Sequence, residues 1–235
     1  MSFGTGQVGH SRSVTEPGEH DYLTYVFAWT CLALVLTAAV AQYVHTQASI
    51  TNYFFDNRNA LLILWIVQLV MVFAVRRSAR HLSLQVTALV YVLLASLVGV
   101  TFGVLLSVYT SSSVAMAFGG ASGVFAGMAV YGWFTDSDLS GLGMYLFGGM
   151  IGVIAASVMF LFVGGHTLNL IIGYAGVLVF SLFTSYDMQR IKRVSRTRIA
   201  DTDSAHKLAI FGALNLYLDF VNLVFSLLRI MGGRR

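Results

Sequence analysis

The stretch Gly212-Ala-Leu-Asn-Leu-Tyr-Leu-Asp-Phe-Val-Asn-Leu-Val-Phe-Ser-Leu-Leu-Arg-Ile-Met231 decides how the rest of the chain is read. Its 20 residues are apolar enough to span a bilayer as one helix, yet Asp219 stands near the middle. Steps of three and four place Gly212, Asn215, Asp219, Asn222, Ser226 and Arg229 on one helical face. A charge at bilayer depth costs about 2.5–3.5 kcal/mol on insertion scales, so this polar stripe must face protein or water rather than lipid.

Outward from that helix, the composition predicts an all-α membrane protein. Apolar residues make up 57% of the 235 and charged residues 10%, against about 25% charged in soluble domains. Mean hydropathy is +0.77. Spans of roughly 17–25 residues leave room for seven helices with short loops, and no room for a soluble domain. The expected spans are 23–44, 60–75, 85–108, 114–134, 142–163, one that starts near Leu168 and runs through Asp187 into the basic segment Arg190 to Arg198, and 205–230. A polar loop falls at Asn52 to Arg58, a serine turn at Ser111 to Ser113, and a further turn at Gly164 to His166. Residues 1–21 lack the apolar core and cleavage site of a signal peptide and read as a mobile cytoplasmic tail. Residues 22–235 read as a single transmembrane domain. Asp201, Asp203 and Ser204 stand where they could cap the last helix.

Charge distribution sets the expected topology. Ten of the 14 Lys and Arg residues fall in the tail and in the loops after spans two, four and six. The positive-inside rule then places the N-terminus in the cytoplasm and the C-terminus outside. Arg229, Arg234 and Arg235 dissent, and a re-entrant seventh segment would satisfy them. The same reasoning assigns the basic pI of 9.3 to topology and not to nucleic acid.

Spans four and five each carry small residues every fourth position: Gly119, Gly123 and Gly127, then Gly148, Gly152 and Ala156. This spacing predicts a tight helix-packing seam, since small residues let backbones approach in lipid. Cys31 is the sole cysteine, which excludes an internal disulfide.

Chemistry concentrates at the two acids of the spans, Asp187 and Asp219. Two carboxylates in a low-dielectric bundle cannot both ionise cheaply, so a pair that meets would share one proton. Such a pair can sense pH, bind a cation or relay protons. Oxygens of Thr184, Asn215, Asn222 and Ser226 could line the same path and help hold a hard cation such as calcium. Asp187 could instead cap its helix or pair with Arg190, one turn away. Depth counts against a meeting: at 1.5 Å per residue, Asp219 lies about 18 Å along its helix from Lys207, and Asp187 only about 5 Å from Arg190. His45, His81, His166 and His206 are scattered, with no HExxH, and no serine is coupled to a histidine. Catalysis and a resident cofactor are not expected; permeation or sensing fits better.

These residues also carry a resemblance. YAGVLVFSLFTSYDMQRI (Tyr174 to Ile191) and LYLDFVNLVFSLLRI (Leu216 to Ile230) resemble the two signature helices of the Bax inhibitor-1 family, closest to its bacterial YccA/YbhL-like branch. DLSGLGMYLFGGMIG (Asp138 to Gly152) resembles the start of its fifth helix. The resemblance implies seven transmembrane helices, the last central and surrounded by the other six. It implies a pH-sensitive calcium leak of the inner membrane gated by an aspartate pair, here Asp187 and Asp219. It further implies an arginine latch from the second helix, for which Arg76, Arg77 and Arg80 are candidates. Gln68 stands where some members carry glutamate. Two other functions remain open: a non-conducting regulator that binds other membrane proteins, and a proton-coupled exporter.

Overall fold

The computed structural model describes residues 19–81, 83–197 and 202–233. Eight α-helices and one 3₁₀ turn account for nearly all of them: α1 (Glu19–Thr46), α2 (Ala48–Asp56), α3 (Arg58–His81), α4 (Leu84–Val108), α5 (Ser111–Phe134), the turn Leu139–Leu142, α6 (Gly143–Val163), α7 (His166–Ser195) and α8 (Thr202–Met231). Among the described residues, six helices are long and apolar enough to cross a membrane. α2 and α3, bent by 99° at their junction, supply the seventh crossing when taken as one broken span. The bend therefore falls at the second span, while α8 is a full-length helix and not a re-entrant segment.

Local chemistry fixes several ends. Thr110 caps α5 by accepting from the Ser113 amide, so the serine run is the first turn of that helix and not a loop. Similarly, Ser83 caps α4. The expected polar loop after α1 is mostly helical: Ile50, Phe54 and the buried Thr51 give α2 an inward face, and Tyr53 and Phe55 point outward. Only glycine suits the α6–α7 corner, where Gly164 and Gly165 take φ of 66° and 99°. Residue 201 lies outside the described residues; α8 already begins at Thr202, so Asp203 and Ser204 stand in its first turn.

α8 is the axis of the bundle. Of its spanning stretch, 72% is buried inside the protein, against 6% of the Leu139–Val163 stretch. α1, α3, α4, α5 and α7 pack around it. α6 leans on α7 and meets α8 through Arg229. Phe225 stacks on Phe102 at 4.5 Å, and Tyr217 is sealed in the core with its hydroxyl 2.7 Å from Thr37 Oγ1. Thr37 donates on to the Ala95 carbonyl, which ties α1, α4 and α8 together. A buried hydroxyl pair with both partners satisfied fixes the register of three otherwise apolar helices.

The glycine repeats do not form the seam their spacing suggests. A Cβ added at Gly119, Gly123, Gly127, Gly148 or Gly152 would meet nothing within 4 Å. On α5 the buried positions are Ser113, Ala117, Ala121 and Gly132. Gly119 is two residues, or about 200°, from Ala117, so its row looks away from the bundle. Close approach occurs elsewhere. Gly99 and Gly103 admit Val40 and Val44 of α1, Gly132 admits the Ser185 backbone, and Gly173 and Gly176 admit Ile230 and Ser226 of α8.

Candidate functional site

Helices α7 and α8 run antiparallel, and the polar stripe of α8 faces α7 along its whole length. Gly212 lies against Ile191, Asn215 against Asp187, Ser226 against Gly176, and Arg229 against Asn169. The amide of Asn215 donates to Asp187 Oδ1 at 3.3 Å. Continuing this register puts residue 219 opposite residue 183, one turn from Asp187. On that register the two aspartates stand about 6 Å apart along the axis, four residues at 1.5 Å each. Both are enclosed, Asp187 with 6% and Asp219 with 5% of its surface exposed. Asp219 Oδ2 is sealed from solvent.

The expected difference in depth is largely absent, for two reasons. α8 starts at Thr202, three residues before the predicted start. α7 continues to Ser195, two further turns past Asp187. Arg190 lies over the Phe211 ring, 5.3 Å from its centroid.

The remaining candidates divide. Asn215 is 7% exposed and touches the acid directly; Asn222 is half-buried. Thr184 and Ser226 are buried, but each hydroxyl donates to a carbonyl of its own helix, Phe180 and Asn222 respectively. Their oxygens remain available only as acceptors. Arg77 is exposed, and the side chains of Arg76 and Arg80 lie outside the described residues. Among the described residues, no three of His, Cys, Asp and Glu converge. A cation at this site would therefore draw on carboxylate, amide and carbonyl oxygens, the donor set that hard cations take.

Gln68 serves a different purpose from a pathway charge. Its amide nitrogen donates to the Leu97 carbonyl at 2.9 Å and to Thr101 Oγ1 at 2.6 Å, joining α3 to α4. The Thr37–Tyr217 pair was not among the sequence candidates. Tyr217 reads as one more core aromatic, and no local pattern announces a partner 180 residues away.

Below the aspartates, α7 grips the loop before α6. Gln189 accepts from the Leu139 amide and donates to the Ser137 carbonyl. Lys192 donates to the Trp133 carbonyl, and Arg193 pairs with Asp138 at 3.1 Å. Asp138 also accepts from the backbone and hydroxyl of Ser140, and these bonds, followed by Arg193, hold its carboxyl below the usual range.

Comparison with known proteins agrees with this architecture. The family model described as "Inhibitor of apoptosis-promoting Bax1" matches residues 19–235. The inner membrane protein YbhL of Escherichia coli K12 is 38% identical over 228 residues, 96% of this chain and 97% of YbhL. A Borreliella burgdorferi protein is 32% identical over 217 residues, 92% and 94% of the two chains. A Deinococcus radiodurans protein is likewise 32% identical, over 97% of each.

Proposed function

This chain belongs to the Bax inhibitor-1 family, and from that premise we propose that it is a pH-sensitive calcium leak of a bacterial inner membrane. One observation carries the reading: Asp187 is bonded to Asn215, one turn from Asp219, on the helix at the bundle's centre. A lipid-facing or purely capping acid has no use for that placement. The N-terminus lies in the cytoplasm and the C-terminus outside, in accord with the basic loops.

In the closed state, ionised Asp187 pairs with an arginine at the end of α3. Arg76 and Arg80 are the preferred latches, because Arg77 is exposed. Protonation of Asp187 removes the charge that holds the arginine and frees α8 to shift against α7. Asp219, with the oxygens of Asn215 and Asn222, then offers calcium a replacement for part of its hydration shell.

Calcium flux into liposomes tests this. Wild-type flux rises as pH falls. Asp187→Asn removes the pH dependence, and Asp219→Asn lowers flux about tenfold, equivalent to about 1.4 kcal/mol of lost cation stabilisation. Flux and pH dependence that survive both changes overturn the mechanism.

A second reading, a non-conducting regulator of other membrane proteins, draws support from the open glycine faces of α5 and α6, which suit a partner helix. A stoichiometric partner that co-purifies, with no flux from the pure protein, would favour it.

A further inference from the structure

At the end of the α7–α8 seam away from the aspartates, a cavity of about 310 Å³ opens between α6, α7 and α8. Arg229, Asn169, His166, Phe160 and Tyr109 line it. Arg229 belongs to the last turn of α8, on the side of the molecule where the basic loops are not. Its guanidinium donates to Asn169 Oδ1 at 3.4 Å and to Ser157 Oγ at 3.3 Å, and lies 5.8 Å from the Phe160 ring centroid. All three partners are neutral, and among the described residues no carboxylate pairs with it. Five N–H groups in a fixed fork are thus met by two long bonds to uncharged oxygens. A guanidinium half-buried in this way gains most from a bidentate oxyanion.

The surroundings favour the same ligand. α7, 30 residues long, begins at this cavity with Gly165 as its N-cap, which has no side chain to bond the first amides. Those amides and the helix dipole add positive potential beside the guanidinium. Asn169 is held in place by its own bond to the Arg229 carbonyl at 3.1 Å, so the two side chains form one rigid wall. Phe160 and Tyr109 supply apolar sides. At about 30 Å³ per water, the cavity has room for roughly ten waters, which suits a phosphate with its neighbouring groups.

We propose that this cavity binds a phosphate-class oxyanion through Arg229, either as the headgroup of an anionic phospholipid or as a free ion. The site is independent of the calcium reading: it lies at the opposite end of the helix pair and uses neither aspartate.

Native mass spectrometry of the full chain, with phosphatidylglycerol and phosphatidylcholine supplied in equal amounts, reads the lipid source. Thermal melting in inorganic phosphate against chloride at matched ionic strength reads the free ion. Wild type retains phosphatidylglycerol in preference to phosphatidylcholine, or melts higher in phosphate; the first assigns the lipid, the second the free ion. Arg229→Gln reduces that retention or shift at least tenfold. Asn169→Asp keeps the side chain's size and forgoes the bond to the Arg229 carbonyl while giving the guanidinium a resident carboxylate, and it abolishes binding even if Arg229→Gln does not fold. Wild type that prefers neither anion overturns the proposal, as does Asn169→Asp that binds like wild type.

Discussion

The α7–α8 seam and the outer wall of α5 and α6 carry nearly the same sequence pattern and end in opposite environments. Both present small or polar residues at intervals of three and four. In the seam, Gly176 sits so close to Ser226 that a Cβ would collide with its hydroxyl. On the wall, Gly123 and Gly148 face open space. Periodicity names a face of a helix; only the neighbouring helix determines whether that face is a contact. The seam also holds the buried acids and their amide partner, Asp187, Asp219 and Asn215, because lipid would impose the full desolvation cost on each.

The same substitution at the two glycine sets separates the regions most sharply. Gly176→Ala forces Ser226 out of its rotamer and costs about 1–3 kcal/mol, the range for overpacking. Gly123→Ala has no neighbour to strike and gains up to ~1 kcal/mol from reduced backbone freedom. Melting temperatures of the purified variants read both; equal behaviour would erase the distinction between seam and wall.

Next in size is Asn215→Leu. Removing the donor to a buried carboxylate costs about 1.5–3 kcal/mol where Asp187 is ionised. The loss is greatest at high pH and shrinks as Asp187 takes up a proton, so the gap between the melting temperatures of variant and wild type narrows as pH falls. A pH-independent loss would make Asn215 a packing residue.

Gln68→Glu tests the α3–α4 junction, which belongs to neither seam nor wall. An ionised carboxylate cannot donate to the Leu97 carbonyl, which leaves that bond unmade at a cost of about 1–3 kcal/mol. A melting temperature equal to wild type would show that the amide does not hold α3.

Asp138→Asn, in the exposed loop before α6, has the smallest effect. The folded carboxyl sits below its ordinary range, so its stabilisation is present above the unfolded value and fades as pH falls through the folded one. The variant melts slightly below wild type at neutral pH and together with it in acid.

The membrane class and the composition of each helix were legible in the sequence, because lipid allows few solutions to the backbone's hydrogen-bonding demand. Five of the six spans stood within a few residues of their expected bounds, α7 ran two turns past Asp187, and α8 stood out by its stripe. The bend between α2 and α3 was not legible, since Asn57 and Arg58 read equally well as loop. Thr37 and Tyr217 escaped notice because their partnership depends on the rotation of two helices far apart in sequence.

By itself the sequence determined that Asp187 and Asp219 are acids in a hydrophobic bundle, and that one face of the last helix is polar throughout. Tertiary structure alone decided that this face meets α7, that Asn215 bridges to Asp187, and that the second glycine pattern meets nothing. Helical periodicity fixes angle about an axis, whereas contact also requires the offset and rotation of a second axis, and no single stretch of chain encodes those.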